Sequence, residues 1–175
     1  ELYFDINKFK KFKDKIIHLV IEEEPKGVAH ALSLARPYNE DARLMVYFSD
    51  NITTIEFQPH VEAFVASEQP PGCLLIARKE DHPEAFGVAV FDENGAICDI
   101  VEKPSTPPSN LAIGGIYMFD EHFWSHLDHA SAERGDDFSI SDITRTYVKQ
   151  GVANVISVGK ETWVDCGTPD TLLEA

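Results

Sequence analysis

Between Phe86 and Asp120 the chain reads FGVAVFDENGAICDIVEKPSTPPSNLAIGGIYMFD, and this stretch limits the fold more than any other. Alternating Phe86, Val88 and Val90 predict a half-buried strand. Asp92-Glu93-Asn94-Gly95 predicts a hairpin turn, with Gly95 free to take a positive φ. A second strand, Ala96 to Val101, delivers Glu102 and Lys103 at its end, and Pro104 stops the ladder because it has no N–H to donate. A Pro/Ser loop leads into a third strand, Ala112 to Phe119. Gly114 and Gly115 inside that strand predict close approach by a ligand or by another backbone. A carboxylate and an ammonium at a strand end, beside a strand segment without side chains, suit a polyol that bears a phosphate.

The rest of the chain supplies buried strands alternating with helices. Ile16 to Ile21 is apolar apart from His18 and predicts a strand ending in Glu22-Glu23-Glu24-Pro25-Lys26-Gly27; Val28 to Ala35 predicts a helix. Leu44 to Phe48 predicts a strand covered on both faces, Phe57 to Ala66 a helix with Pro59 in its first turn, and Leu74 to Ala77 another buried strand. Ser139 or Ser141 caps a helix through Ile143, Tyr147 and Val148, which Gly151 ends. Val152 to Val158 and Thr162 to Val164 predict further strands, and Pro169 starts a last helix. Nearer the start, Asn7 can cap a basic helix from Lys8 to Lys15, a solvated face rather than a phosphate site. This alternation predicts an α/β sheet, with ligands beyond the carboxyl ends of its strands.

Charge and composition exclude several roles. A net charge of −15 over 175 residues disfavours nucleic acid or an anionic membrane as the main partner, but not a nucleotide held by backbone amides, a few cations and a metal. Cys73, Cys98 and Cys166 are odd in number and lack C-x-x-C spacing, so buried reduced thiols and a cytoplasmic setting are expected rather than zinc. No run reaches membrane length and no signal peptide is visible. His122, His126 and His129 have metal-compatible spacing, but Phe123, Trp124 and Leu127 account for the buried face of that helix, which leaves the histidines to solvent.

Two carboxylates stand at strand ends, each before a polar turn: Asp50 in Ser49-Asp50-Asn51 and Asp165 in Trp163-Val164-Asp165-Cys166-Gly167-Thr168. Each can cap its own turn. Together they can also hold magnesium, which takes one or two carboxylates plus phosphate oxygens and water.

The ordered set Phe86-Gly87-Val88, Glu102-Lys103-Pro104, Ser109-Asn110 and Gly115-Ile116-Tyr117, with the two Asp motifs, resembles the sugar-1-phosphate nucleotidyltransferases, most closely the glucose-1-phosphate thymidylyltransferases. The resemblance runs from about Ile16 onward. It implies an α/β fold with a Rossmann-like mixed sheet flanked by helices. It also implies Mg²⁺ on Asp50 and Asp165, and a sugar-phosphate pocket lined by Gly87, Glu102, Lys103 and Ile113, with Arg134 reaching the phosphate. Glu22 and Gly27 fall where the family reads the base, Glu22 replacing a Gln. The implied catalytic set is Asp50, Asp165, Lys103 and Arg134.

The implied reaction joins dTTP or UTP to a sugar 1-phosphate, glucose 1-phosphate first among them, and releases pyrophosphate; homo-oligomers are common among such proteins. The family's Gly-Gly-x-Gly-Thr-Arg-Leu loop has no counterpart, since Gly114-Gly115 is the one Gly-Gly pair in the sequence. Residues 1–175 therefore read as one domain of this type lacking its first strand, Gly-rich loop and helix, and as inactive alone. Two alternatives stand beside this: a non-catalytic sugar-nucleotide-binding or regulatory relative, and a signalling receiver domain. The second fits the spacing of Asp50 to Lys103-Pro104, but Leu74-Leu75-Ile76-Ala77-Arg78 lacks the Ser or Thr a receiver needs.

Overall fold

The computed structural model describes residues 18–24, 26–67, 71–135, 138–159 and 163–166, with Asp165 described by its backbone. The expected helices at Lys8 to Lys15 and from Pro169, together with Pro25, Asp136, Asp137, Thr162, Gly167 and Thr168, lie outside the described residues.

The central strand is β3 (Cys73–Lys79), whose first six residues are all buried. Cys73, Leu75 and Ala77 join one apolar cluster, while Leu74 and Ile76 enter two others on the opposite face. Successive strand residues point to opposite faces, so an unbroken apolar run needs a layer on each. On the first face lie α3 (Phe123–Arg134) and α4 (Ile140–Lys149), which contribute Phe123, Leu127, Ile143 and Tyr147. On the second lie Phe64 and Phe57 of α2 (Phe57–Ala66), and Trp163.

The sheet is mixed. β3 pairs antiparallel with β6 (Leu111–Phe119) and parallel with β7 (Ala153–Val158). The predicted hairpin is present: β4 (Gly87–Phe91) pairs antiparallel with β5 (Ile97–Glu102), and the Asp92 carboxylate accepts the N–H groups of Asn94 and Ala96 across the turn, with Gly95 at φ 80°. α4 packs over β5 and carries a capping box in which Ser139 and Asp142 bond reciprocally, so Ser139 is the cap. Gly151 follows α4 at φ 72°, in the left-handed conformation predicted for it.

Two predictions need correction. His18 to Ile21 forms no strand; Leu19 and Ile21 are exposed, and His18 stacks on Tyr38 with centroids 4.1 Å apart. An apolar run becomes a strand only when a neighbour takes up its backbone groups, and no described strand lies beside this one. The strand β1 (Leu44–Tyr47) is not covered on both faces either: it pairs only with β6 among the described residues, and Met45 and Tyr47 are exposed.

Further elements are α1 (Val28–Ala35), which follows Gly27 at φ 97°, two single-turn 3-10 helices (Arg36–Tyr38 and Pro83–Ala85), and a two-stranded ladder of β2 (Asn51–Thr53) with β8 (Trp163–Asp165).

A candidate substrate site where one strand changes partners

One edge of β6 is bordered by two different strands. Ala112 and Ile113 pair with β4, whereas Ile116 to Phe119 pair with β1. Gly114 and Gly115 lie between, and there the sheet opens into a cavity of about 350 Å³. A change of strand neighbours leaves a crevice for the same geometric reason that open α/β sheets bind ligands at their switch points.

The register then sets the floor. Glu102 of β5 pairs with Gly87 of β4, and Gly87 pairs with Ile113 of β6, so the three stand in one row and share a face. All three line the cavity. A Cβ on Gly87 would lie 3.1 Å from Glu102 Oε2 and 3.6 Å from Ser141 Oγ, so this glycine keeps the space above the row clear. Gly114 and Gly115 both line the cavity, the Phe48 N–H bonds to the Gly115 carbonyl, and aromatic side chains crowd both glycines as well. A Cβ on Gly114 would overlap the indole of Trp163, and one on Gly115 the ring of Phe48. The side-chain approach comes from one aromatic residue on each face of β6.

Ser141 at the start of α4 donates its hydroxyl to Glu102 Oε2 at 2.7 Å, which fixes the carboxylate over the row. Phe138, Ser139 and Ile140 complete that wall. Tyr117 is also buried there; burial, and then the charges of Glu102 and Cys73, hold its phenol protonated well above the usual tyrosine range. Ser141 and Tyr117 were not singled out for this site from the sequence. The i+2 alternation of Ile113, Gly115 and Tyr117 within one strand was the signal for Tyr117.

Asp50 and Asn51 form the opposite wall with Gly27, Val28 and Phe48. Asp50 is exposed, and its Oδ1 accepts the Asn51 amide at 2.7 Å; Oδ2 has no partner among the described residues. The β2–β8 ladder sets Asn51 opposite Asp165, and the Cys166 N–H donates to the Asp50 carbonyl at 2.6 Å. The two Asp-bearing backbones predicted to act together are thus adjacent, and each comes from a different end of the chain.

Lys103 and Arg134 are placed outside this cavity. Lys103 is exposed at the end of β5 with φ 44°, and its N–H donates to the Phe86 carbonyl. Arg134 lies at the end of α3, its guanidinium 3.2 Å from Asp142, in an adjoining recess of about 340 Å³ that shares Glu102, Ser139 and Ser141 with the first. Glu22 is anchored beside α1: its Oε1 accepts the Lys26 N–H at 3.1 Å and lies 2.6 Å from His30 Nδ1. The bond to His30 and that from the Lys26 N–H lower the Glu22 pKa. His126 is not left to solvent: it packs edge-on against Tyr147 at 4.4 Å, and burial lowers its pKa. Among the described residues no three metal-ligating side chains converge, at the histidines or elsewhere, and no helix is long and apolar enough to cross a membrane.

The chain resembles known proteins over nearly all of its length. The family model described as nucleotidyl transferase matches residues 3–175. The low-salt glycan biosynthesis nucleotidyltransferase Agl11 of Haloferax volcanii is 29% identical over 159 residues, which is 91% of this chain and 44% of that protein. The glucose-1-phosphate thymidylyltransferase of Neisseria meningitidis is 29% identical over 161 residues, 91% of this chain and 55% of the relative. The chain thus spans about half the length of the curated relatives it matches. A crystal structure from Bacillus anthracis, described as a candidate glucose-1-phosphate thymidylyltransferase in complex with a sucrose, superposes with a TM-score of 0.82 at 29% identity. The match covers 97% of this chain and 68% of that one.

Proposed function

We propose, from the premise that this chain belongs to the nucleotidyl transferase family, that it forms the sugar-phosphate side of an enzyme that makes nucleoside diphosphate sugars. The substrates are dTTP or UTP and a sugar 1-phosphate, with glucose 1-phosphate the first candidate. The observation that carries the reading is the row Glu102–Gly87–Ile113 facing a cavity whose opposite wall holds Asp50. It supports a sugar lying over Gly87, with hydroxyls bonded to Glu102 and its anomeric phosphate directed toward the aspartate wall.

In this reading a phosphate oxygen of the sugar 1-phosphate attacks the α-phosphorus of the nucleotide in line, and the bond to the β-phosphate breaks to release pyrophosphate. The attacking oxygen is already ionised, so the protein supplies position and charge rather than a general base. Glu102, held by Ser141, accepts hydroxyls. Lys103 and Arg134 flank the pocket and meet the sugar phosphate as cations once Arg134 leaves Asp142. Glu22 stands toward the base with one oxygen already committed to His30 and Lys26.

The aspartate wall fits magnesium: its donors are hard carboxylate oxygens, Asp50 Oδ2 has no other partner among the described residues, and the Asp165 backbone is paired alongside. Asp50 and Asp165 would hold the ion, and when bound it supplies positive charge at the α-phosphate.

Pyrophosphate release from a panel of nucleoside triphosphates and sugar 1-phosphates tests the proposal in the full-length polypeptide. Release with dTTP or UTP and glucose 1-phosphate is expected. Asp50→Asn and Asp165→Asn should each lower turnover by orders of magnitude. Binding of nucleotide sugar without pyrophosphate release under any pairing would instead support a non-catalytic binding protein.

A further inference from the structure

Arg78 is 7% exposed near the carboxyl end of β3, the central strand, and burial is costly for a cation. Its Nε is 2.6 Å from Glu80 Oε1, and its guanidinium lies 5.2 Å from the Phe86 ring and 5.7 Å from the Trp163 ring. Replacing such a pair with apolar residues is often neutral or stabilising, so fold stability alone does not call for it. What it touches offers another reason. Arg78 Nη1 donates to the Trp163 carbonyl at 3.2 Å, a buried bond to β8. The Trp163 indole N–H donates to Asn51 Oδ1 at 2.6 Å, also buried.

An indole N–H can only donate, so it commits the amide of Asn51: the oxygen must face Trp163, and the NH₂ must face the other way. There the NH₂ donates to the Phe48 carbonyl at 3.2 Å and to Asp50 Oδ1 at 2.7 Å. The sequence of bonds Glu80–Arg78–Trp163–Asn51–Asp50 runs from the buried ion pair to the cavity wall. It determines which Asp50 oxygen is occupied and which stays open.

We propose that Arg78 is a positioning residue for Asp50: through the Trp163 backbone and indole and the Asn51 amide, it holds the Asp50 carboxylate with Oδ2 turned to the cavity. The inference rests on the reading of Asp50 as a cation-holding carboxylate. Partners that orient a ligating side chain are worth roughly ten- to a hundredfold in metal affinity. Lysine cannot replace Arg78, because one ammonium on a flexible stem does not serve Glu80 and the Trp163 carbonyl with fixed fork geometry.

The test measures Mn²⁺ affinity by electron paramagnetic resonance of the free ion in the full-length protein, without substrates. Asp50→Asn tests the underlying reading and should abolish most of the binding. Arg78→Lys, and independently Trp163→Phe, which removes the indole donor but keeps an aromatic ring, should each weaken binding by about tenfold. In the Arg78→Lys protein the Trp163 indole N–H resonance should move. That of Trp124, which donates to the Asn39 carbonyl at 2.9 Å, should not, and it serves as the folding control. If Asp50→Asn loses Mn²⁺ while Arg78→Lys and Trp163→Phe bind as the wild type does, the positioning role is wrong and the reading of Asp50 stands. If Asp50→Asn binds Mn²⁺ normally, the reading of Asp50 is wrong and the positioning role falls with it. Should Arg78→Lys fail to fold, Trp163→Phe alone decides.

Discussion

Ser141 donates to Glu102 across 2.7 Å, joining the first turn of α4 to the last residue of β5. A hydroxyl held this way keeps one carboxylate oxygen fixed and leaves the other to bind substrate. Ser141→Ala should therefore raise KM for the sugar 1-phosphate by about tenfold, the worth of one hydrogen bond to a charged group, with little change in KM for the nucleotide. Ser141→Thr, which keeps the donor, should restore it. Equal changes for both substrates would mean that the pair holds α4 rather than Glu102.

Lys103 occupies a backbone conformation with φ 44°, where a side chain is strained and glycine is not. Lys103→Gly should raise stability to chemical denaturation by up to about 1 kcal/mol. It should also weaken sugar 1-phosphate binding, because it deletes a cation beside the pocket. Opposite signs for stability and binding are the expected result. Loss of both would show that the Lys103 side chain holds structure.

At Gly114 the Trp163 indole lies against the β6 backbone in the space a side chain would fill. Gly114→Ala must push the indole away, since a Cβ there would sit 2.8 Å from Trp163 Cη2 and nearer still to its neighbour. Overpacking of this kind costs about 1–3 kcal/mol. The displaced ring also gives up its bond to Asn51. Thermal denaturation and the Trp163 indole resonance should both report the change.

Glu22 gives the pH prediction. Its folded pKa is depressed by His30 and then by the Lys26 N–H, so its contribution to stability is present above the unfolded carboxyl pKa of about 4.3. That contribution is lost as pH falls through the lower folded value. The stability difference between wild type and Glu22→Gln should be constant just above that range and shrink on further acidification. A carbon-13 titration of the Glu22 carboxyl should place its midpoint below the ordinary glutamate value.

Much of the sheet was legible because its signals are local. The turn at Asp92 to Gly95 and the helix Phe57 to Ala66 depend on neighbours a few positions away, and both stand where the sequence put them. The site was legible in part. Gly87 and Glu102 share a row because of a register that the hairpin sets locally, whereas Ile113 joins it through the separate pairing of β6 with the other edge of β4. The Asn51–Trp163 bond joins residues 112 positions apart, and no pattern at either end announces it. Ser141 was read as a cap candidate. With Ser139 filling that role, its hydroxyl was free for Glu102, a choice that only the packing of α4 on β5 decides. The apolar run before Glu22 failed as a strand because hydrophobicity gives a segment a reason to be covered but does not supply the neighbour.

The β2–β8 ladder has a consequence for the order in which the molecule assembles. It is three residue pairs long, yet forming it closes a loop of more than a hundred residues. Closing such a loop from a free chain costs about 4 kcal/mol in entropy, more than so short a ladder returns. The ladder is therefore expected to form after β3, β6 and β7 have brought its two ends together. The aspartate wall is in turn expected to form late in folding and to open more readily than the β3–β6–β7 core, which hydrogen exchange of the Ile52 and Val164 amides against those of β3 would measure. A substrate or cation that bridges the wall would close the last gap in the fold as it binds.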